Sequence, residues 1–275
     1  MNRRIRTALL ASCLLGLFSN PLHADGLSQY NVVWNSPSAS ALESMPCGGG
    51  DVGMNVWVED GNLLIYLSRS GTFDELNTFP KLGRIRVSVS PNTFRQELRL
   101  EEGEVEIRSR KGSEEVTLRV WADVFRPMVH IDLEGNRQLT TYATYENWRS
   151  EPRRLEEGEK ESCRTYKGAP VTAVMQPDTL GFDGNGIVFR HRNQGETAFD
   201  LAVRQQQLEA VKEQLWKPIE GLVYGGRMSG DRMVPCGTTN GQYASTPFRG
   251  WQLKSAAPRN KHHIQVALHT ARDVT

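Results

Sequence analysis

The chain reads as an all-β protein, a large antiparallel β-sandwich with one short helix. Three observations predict this. Apolar and polar residues alternate with period two through most of the sequence, brief polar turns separate the alternating runs, and only one segment has helical spacing. The 275 residues, 38% hydrophobic and 24% charged, are enough to bury a sizeable core. No low-complexity tract and no fixed-period repeat suggests a solenoid or propeller.

The N-terminus lies outside the predicted fold. Arg3, Arg4 and Arg6 precede an apolar run from Thr7 to Phe18, and "PLHA" ends in small residues at Ala24. This is the layout of a secretory signal peptide over residues 1–24, and it predicts a periplasmic or secreted protein. "LASC" at Leu10 to Cys13 resembles a lipoprotein processing site, but little apolar chain precedes Cys13 and the run continues past it. Three arginines and no acid leave with the leader, so formal net charge falls from +1 to −2. That balance argues against nucleic acid and gives no reason to expect an anionic membrane surface.

The strands follow in order. Met54, Val56 and Val58 share one face of a run whose other face carries Asn55, Trp57 and Glu59. "EDGN" then leads into the alternation from Leu63 to Ser68. Asp60-Gly61 between two such runs signals a tight hairpin, because both residues tolerate positive φ. Further strands are expected at Ile85–Val89, Phe94–Leu100, Val105–Ile107, Val116–Trp121 and Val129–Leu133, and later at Gly186–His191, Gly221–Met228, Gly250–Lys254 and His262–Thr270. In "QQQLEAVKEQLWKPIEG", Leu208, Val211 and Leu215 recur at helical spacing before Pro218, which predicts one amphipathic helix. "EPRRLEEGEKE" from Glu151 reads as a solvated loop. No composition break divides residues 25–275, which are expected to form one domain.

Gly48, Gly50 and Gly53 fit G-x-G-x-x-G, the spacing of a dinucleotide-binding turn. That fingerprint needs a strand before the first glycine and a helix at the last. Here "SPSASALESMP" precedes and a β-hairpin follows, so the glycines are read as a tight turn or a close backbone approach. No cofactor is expected.

Once this framework is in place, the opening "VVWNSPSASALESMPCGGGDVGMNVWVEDGNLLIYLSRSGTFDE" resembles the uncharacterised N-terminal domain of presumed glycoside hydrolases. The resemblance continues in order through "KLGRIRVSVSPNTF", "LRVWADVFRPMVHID", "YENWRSE", "FRHRNQ", "LVYGGRMSGD" and "HIQVALHTA". It implies a galactose-mutarotase-like super-sandwich preceding a six-hairpin α/α toroid, in an arrangement similar to α-L-fucosidase-like enzymes. The hydrolytic residues of those enzymes lie in the toroid, which is expected where this sequence ends at Thr275. The toroid, missing from the chain or separately encoded, is therefore the implied partner. Cys47 stands where the family usually has an apolar residue, and Gly49 where it usually has asparagine.

The residues themselves offer few catalytic groups. Most acids fall in charged turns, where solvation is the default. Asp51 follows the glycine turn and is expected to brace it through side-chain-to-backbone hydrogen bonds. Glu146 is expected to pair with Arg149, with a functional role as the alternative. His262 and His263 are adjacent on a strand and point to opposite faces, so together they chelate nothing; no metal site is expected. Cys47, Cys163 and Cys236 remain after leader cleavage, and buried free thiols are preferred over a disulfide.

For sugar binding, an aromatic face with neighbouring polar groups is the pattern to find. Trp57, on the face of Asn55 and Glu59, points outward or toward a neighbouring domain, or else is buried against the second sheet or a loop. Trp148 lies among Glu146, Asn147 and Arg149. Asp51, Asn55, Trp57, Glu146, Trp148 and Arg149 are thus the candidate carbohydrate-binding or domain-interface residues. The expected function is a non-catalytic sandwich that packs on the toroid and shapes its sugar cleft. A free-standing carbohydrate-binding or interaction module is the alternative, and a self-sufficient enzyme a third.

Overall fold

The computed structural model describes residues 26–88, 93–156, 159 and 174–272. The predicted leader, Cys163 and residues 157, 158, 160 and 161 of the Glu151–Glu161 loop lie outside them. The strands are β1 (Val32–Trp34), β2 (Met45–Gly49), β3 (Val52–Glu59), β4 (Asn62–Arg69), β5 (Gly83–Ser88), β6 (Thr93–Arg99), β7 (Glu104–Lys111) and β8 (Glu114–Ala122). They continue with β9 (Met128–Leu139), β10 (Tyr142–Asn147), β11 (Thr179–Asp183), β12 (Gly186–Arg192), β13 (Leu222–Gly230), β14 (Met233–Tyr243), β15 (Thr246–Ser255) and β16 (Arg259–Arg272).

Two antiparallel sheets result. One has nine strands in the order β1-β6-β7-β8-β9-β16-β13-β12-β11, the other seven in the order β14-β15-β10-β5-β4-β3-β2. Their inner faces meet in one apolar core. Val56, Ile65, Ile85 and Leu253 from the seven-stranded sheet join Val120, Ile131, Ile187 and Val266 from the nine-stranded sheet. The alternation therefore means what it predicted: one residue in two is removed from water, at about 25 cal/mol for each Å² of apolar surface. Tyr145 and Phe189 stack across the interface with ring centres 4.1 Å apart. Pro46 and Pro235 lie in β2 and β14, the two edge strands of the seven-stranded sheet, where a missing N–H is tolerated.

The Asp60-Gly61 turn joins β3 to β4 with φ of 47° and 71°, as the sequence predicts. The glycine-rich stretch also ends in a hairpin, although a short strand, β2, already contains Gly48 and Gly49. A Cβ on Gly48 would lie 2.4 Å from the Val52 carbonyl oxygen, and Gly50 turns the chain at φ +59°. No helix follows, so the dinucleotide reading fails on structure too.

The helix is displaced from its expected place. The α-helix, α1, spans Ala198–Gln205, while Glu209–Gln214 is a 3-10 helix. Thr197 and Asp200 form a capping box at its start, and Gln207 breaks the path at φ +55°. Leu201 of α1 is buried in a small second core with Leu76, Leu155, Met175 and Ile219. The predicted stripe has no such core to face, and its Val211 is exposed. Among the described residues no helix is long and apolar enough to cross a membrane.

Candidate functional site

The outer face of the seven-stranded sheet positions the site. Strand register places Asn55, Tyr66, Arg84 and Glu146 in one row across β3, β4, β5 and β10. The neighbouring row carries Trp57, Leu64, Arg86 and Thr144. Such a row would ordinarily face water. Here Trp57, Arg84 and Glu146 are at most 1% exposed.

The roof explains this. The β14–β15 hairpin carries Tyr243 and Phe248 back over the sheet, and the Arg84 guanidinium carbon lies 4.0 Å and 5.2 Å from their ring centres. Arg84 Nε donates to Glu146 at 2.5 Å, and Arg86 Nε donates to the other carboxylate oxygen at 2.5 Å. The expected Glu146–Arg149 pair is therefore not formed. Adjacent strands supply closer cations than a residue three positions along the same chain, because β10 ends at Asn147 and the chain turns.

Arg149 instead donates from Nε to Asp178 at 3.0 Å and also to the Lys81 carbonyl. Burial alone would raise the Asp178 carboxyl, but Arg149 and His191 hold it below its usual value. His191 lies between Asp178 (2.9 Å from Nδ1) and Glu75 (3.3 Å from Nε2). Burial opposes its protonation, yet these two carboxylates push its pKa up to about 9. None of His191, Glu75 and Asp178 stands out in the sequence as a site residue. No local signal joins them, since they lie far apart in the chain.

Trp57 is buried, but under the roof of its own outer face and not against the second sheet. Its Nε1 donates to Glu59 at 2.8 Å, and the same carboxylate accepts from the Tyr243 hydroxyl at 2.8 Å. Burial and this hydrogen bond push the Tyr243 pKa up to about 12. Asn55 accepts from the Lys81 ammonium at 2.9 Å. Asp51 stands apart: its carboxylate pairs with Arg69 at 2.8 Å, bracing the β2–β3 turn through a neighbouring strand and not through its own backbone.

Between roof and sheet lies a cleft of about 780 Å³ lined by Tyr66, Lys81, Arg84, Trp148, Arg153, Glu159, Tyr243 and Phe248. A smaller hollow of about 230 Å³, lined by Asp74, Lys81, Trp148, Arg149 and Gln176, adjoins it. Tyr66 and Trp148 meet edge to face with centres 5.8 Å apart. Of the sequence candidates, the structure thus brings Trp148 to the cleft wall and Arg149 to the adjoining hollow. Asn55, Trp57 and Glu146 form the layer beside and beneath, and Asp51 is elsewhere. Tyr66, Lys81, Tyr243 and Phe248 are additions that only register and the roof reveal. Cys47 and Cys236 are free thiols, and Cys47 is half-buried, with burial pushing its pKa up.

The family described as "Domain of unknown function (DUF5703)" matches residues 33–275. No curated protein matches the chain. Among solved structures, a protein from the human microbiome assigned as a kojibiose phosphorylase is similar at 10% identity and a TM-score of 0.42. The match covers 88% of this chain and 32% of that one, so the chain spans about a third of that protein's length.

Proposed function

The chain belongs to the DUF5703 domain family, and from that premise we propose that it is the non-catalytic N-terminal sandwich of a secreted glycoside hydrolase, exported by the leader that ends at Ala24. Its cleft forms one wall of a sugar site, and the implied partner is a six-hairpin toroid that carries the hydrolytic groups. The observation that carries this reading is the cleft itself. Tyr66, Trp148, Tyr243 and Phe248 offer ring faces and edges beside the polar ends of Lys81, Arg153 and Glu159. A sugar ring has the complementary chemistry, an apolar C–H face bordered by hydroxyls.

The ion pairs around the cleft favour a binding role over a cleaving one. Glycoside hydrolysis needs two carboxylates placed on either side of the bond. Glu146 is held by Arg84 and Arg86, Asp178 by Arg149, and Glu159 by Arg153. Those three are committed to cations that would have to release them. Glu156, which also lines the cleft, and Asp74, which lines the hollow and accepts from Thr78, are not held in this way among the described residues. Because the walls come from this chain alone, a free-standing carbohydrate-binding module is the second reading.

Calorimetric titration of the full chain, without its leader, against mono- and oligosaccharides tests both. A sugar ligand whose affinity falls about tenfold in Trp148→Ala is the expected result, the loss of one ring contact worth about 1.4 kcal/mol. Saturable binding by the chain alone favours the module; binding that appears only after a toroid is added favours the accessory wall. A panel with no ligand in either setting, or a ligand indifferent to Trp148, rejects the sugar site.

A further inference from the structure

The outer face of the nine-stranded sheet holds a second cluster that the proposed function does not use. His130 and Asp132 of β9 share that face, and β16 brings His263 opposite Asp132. Trp121 of β8 pairs with His130 in register and stacks on it, with ring centres 4.0 Å apart and planes at 14°. His263 Nδ1 lies 2.6 Å from the Asp132 carboxylate. A carboxylate only accepts, so the proton sits on Nδ1 and the His263 Nε2 presents a lone pair. That Nε2 is 3.3 Å from Nδ1 of His130. The other His130 nitrogen is buried with no partner among the described residues, so before an ion binds the His130 Nδ1–H donates to that lone pair, and an ion would take the place of this proton.

We infer that His130 Nδ1 and His263 Nε2 bind one imidazole-preferring divalent ion, copper(II) or zinc(II), with Asp132 orienting His263 and water completing the coordination. The geometry is that of two shared ligands. A tetrahedral ion about 2.0–2.1 Å from each nitrogen holds the two nitrogens about 3.3 Å apart and the ring centres about 5.2 Å apart. An in-line N–H···N bond of the same length would separate the centres by about 5.6 Å. The observed centres are 5.2 Å apart, with planes at 30°. Among the described residues no group of three or more His, Cys, Asp or Glu could hold a metal ion. The protein therefore supplies two ligands at a tetrahedral spacing, which suits zinc(II) as it stands; copper(II), the strongest binder in the divalent series but tetragonal by preference, would draw the two nitrogens to about 2.8 Å. A carboxylate behind a ligating histidine is the recurrent device for fixing its tautomer and raising its basicity.

Copper(II) titrated into the full chain, followed by electron paramagnetic resonance and calorimetry, tests this. The expected result is one equivalent with hyperfine coupling to two imidazole nitrogens, which separates it from copper held by thiolates. His130→Gln and His263→Gln should each weaken binding tenfold or more, and Asp132→Asn about tenfold, in variants with unchanged circular dichroism and Tm. Absence of two-nitrogen coupling, or variants that bind as the parent does, overturns the inference. If a variant unfolds, the imidazole NMR resonances of the unaltered chain decide. Zinc must shift both His130 and His263; a shift in neither overturns the site.

Discussion

On the outer face of the nine-stranded sheet much of the charge ladder is open, with Arg110 beside Glu115 and Lys261 beside Glu134. On the outer face of the seven-stranded sheet the charges are as regular, yet Arg84 and Glu146 are each only 1% exposed. Both faces arise from the same alternation of polar and apolar residues. They differ because the β14–β15 hairpin and the chain around Trp148 return over one sheet and leave much of the other uncovered. The lesson concerns energy as much as shape: removing one partner costs little from an ion pair in water and much from an ion pair under a roof.

The largest expected difference between the faces follows from that. Glu146→Ala leaves the Arg84 guanidinium without its carboxylate in a site closed to water, and should cost about 3–5 kcal/mol of stability in urea unfolding. A loss below about 1 kcal/mol would mean that water reaches the pair, and the contrast between the faces would collapse.

The second expectation sharpens the contrast through pH. His191, behind the roofed face, has its pKa raised from about 6.5 unfolded to about 9 folded. A raised value means that its stabilisation is fully present below pH 6.5 and is lost as pH climbs through 9. Thermal unfolding should therefore show roughly 3 kcal/mol disappearing over that window, and His191→Gln should flatten the profile. A profile equally steep in the variant would place the titration elsewhere. Asp178, with its value depressed, acts with the opposite sign: its contribution is present above the normal carboxylate range and is lost as pH falls below it.

The smallest effect belongs to the open ladder. The Arg110 and Glu115 side chains are 60% and 53% exposed, so Arg110→Ala should change stability by at most about 0.5 kcal/mol and less in high salt. A salt-insensitive loss of several kcal/mol would show that this face is covered as well.

Legibility in the sequence tracked how clearly a strand's inner face stands out as apolar. β8 and β9 read correctly from alternation, and so do β3 and β4, although Trp57 and Leu64 are buried on their outer faces. β10 did not, because Ala143, Tyr145, Thr144 and Glu146 are all buried, on both its faces, and "YATYEN" has no simple period. β14, an edge strand rich in Gly, Thr and Asn, escaped for the opposite reason, having little apolar side to show. α1 carried a readable signal in "TAFD", whose Thr197 and Asp200 close the capping box, but the more regular spacing at Leu208, Val211 and Leu215 drew the helix downstream. At the site, the polar surroundings of Trp148 pointed to the right place. The Glu146–Arg84 pair, 62 residues apart, could not be read locally.

By itself, then, the sequence determined the all-β class, the hairpin at Asp60-Gly61, the inner face of most strands and the glycine turn, since each follows from period-two burial or from the φ a short turn demands. Tertiary structure decided which polar residues leave water. Strand register set Arg84 beside Glu146 and His130 beside His263, and the β14–β15 hairpin closed over only one of those pairs. A residue's own neighbours in the chain fix which way it points; what then covers it comes from segments far away in sequence, and desolvation depends on that cover.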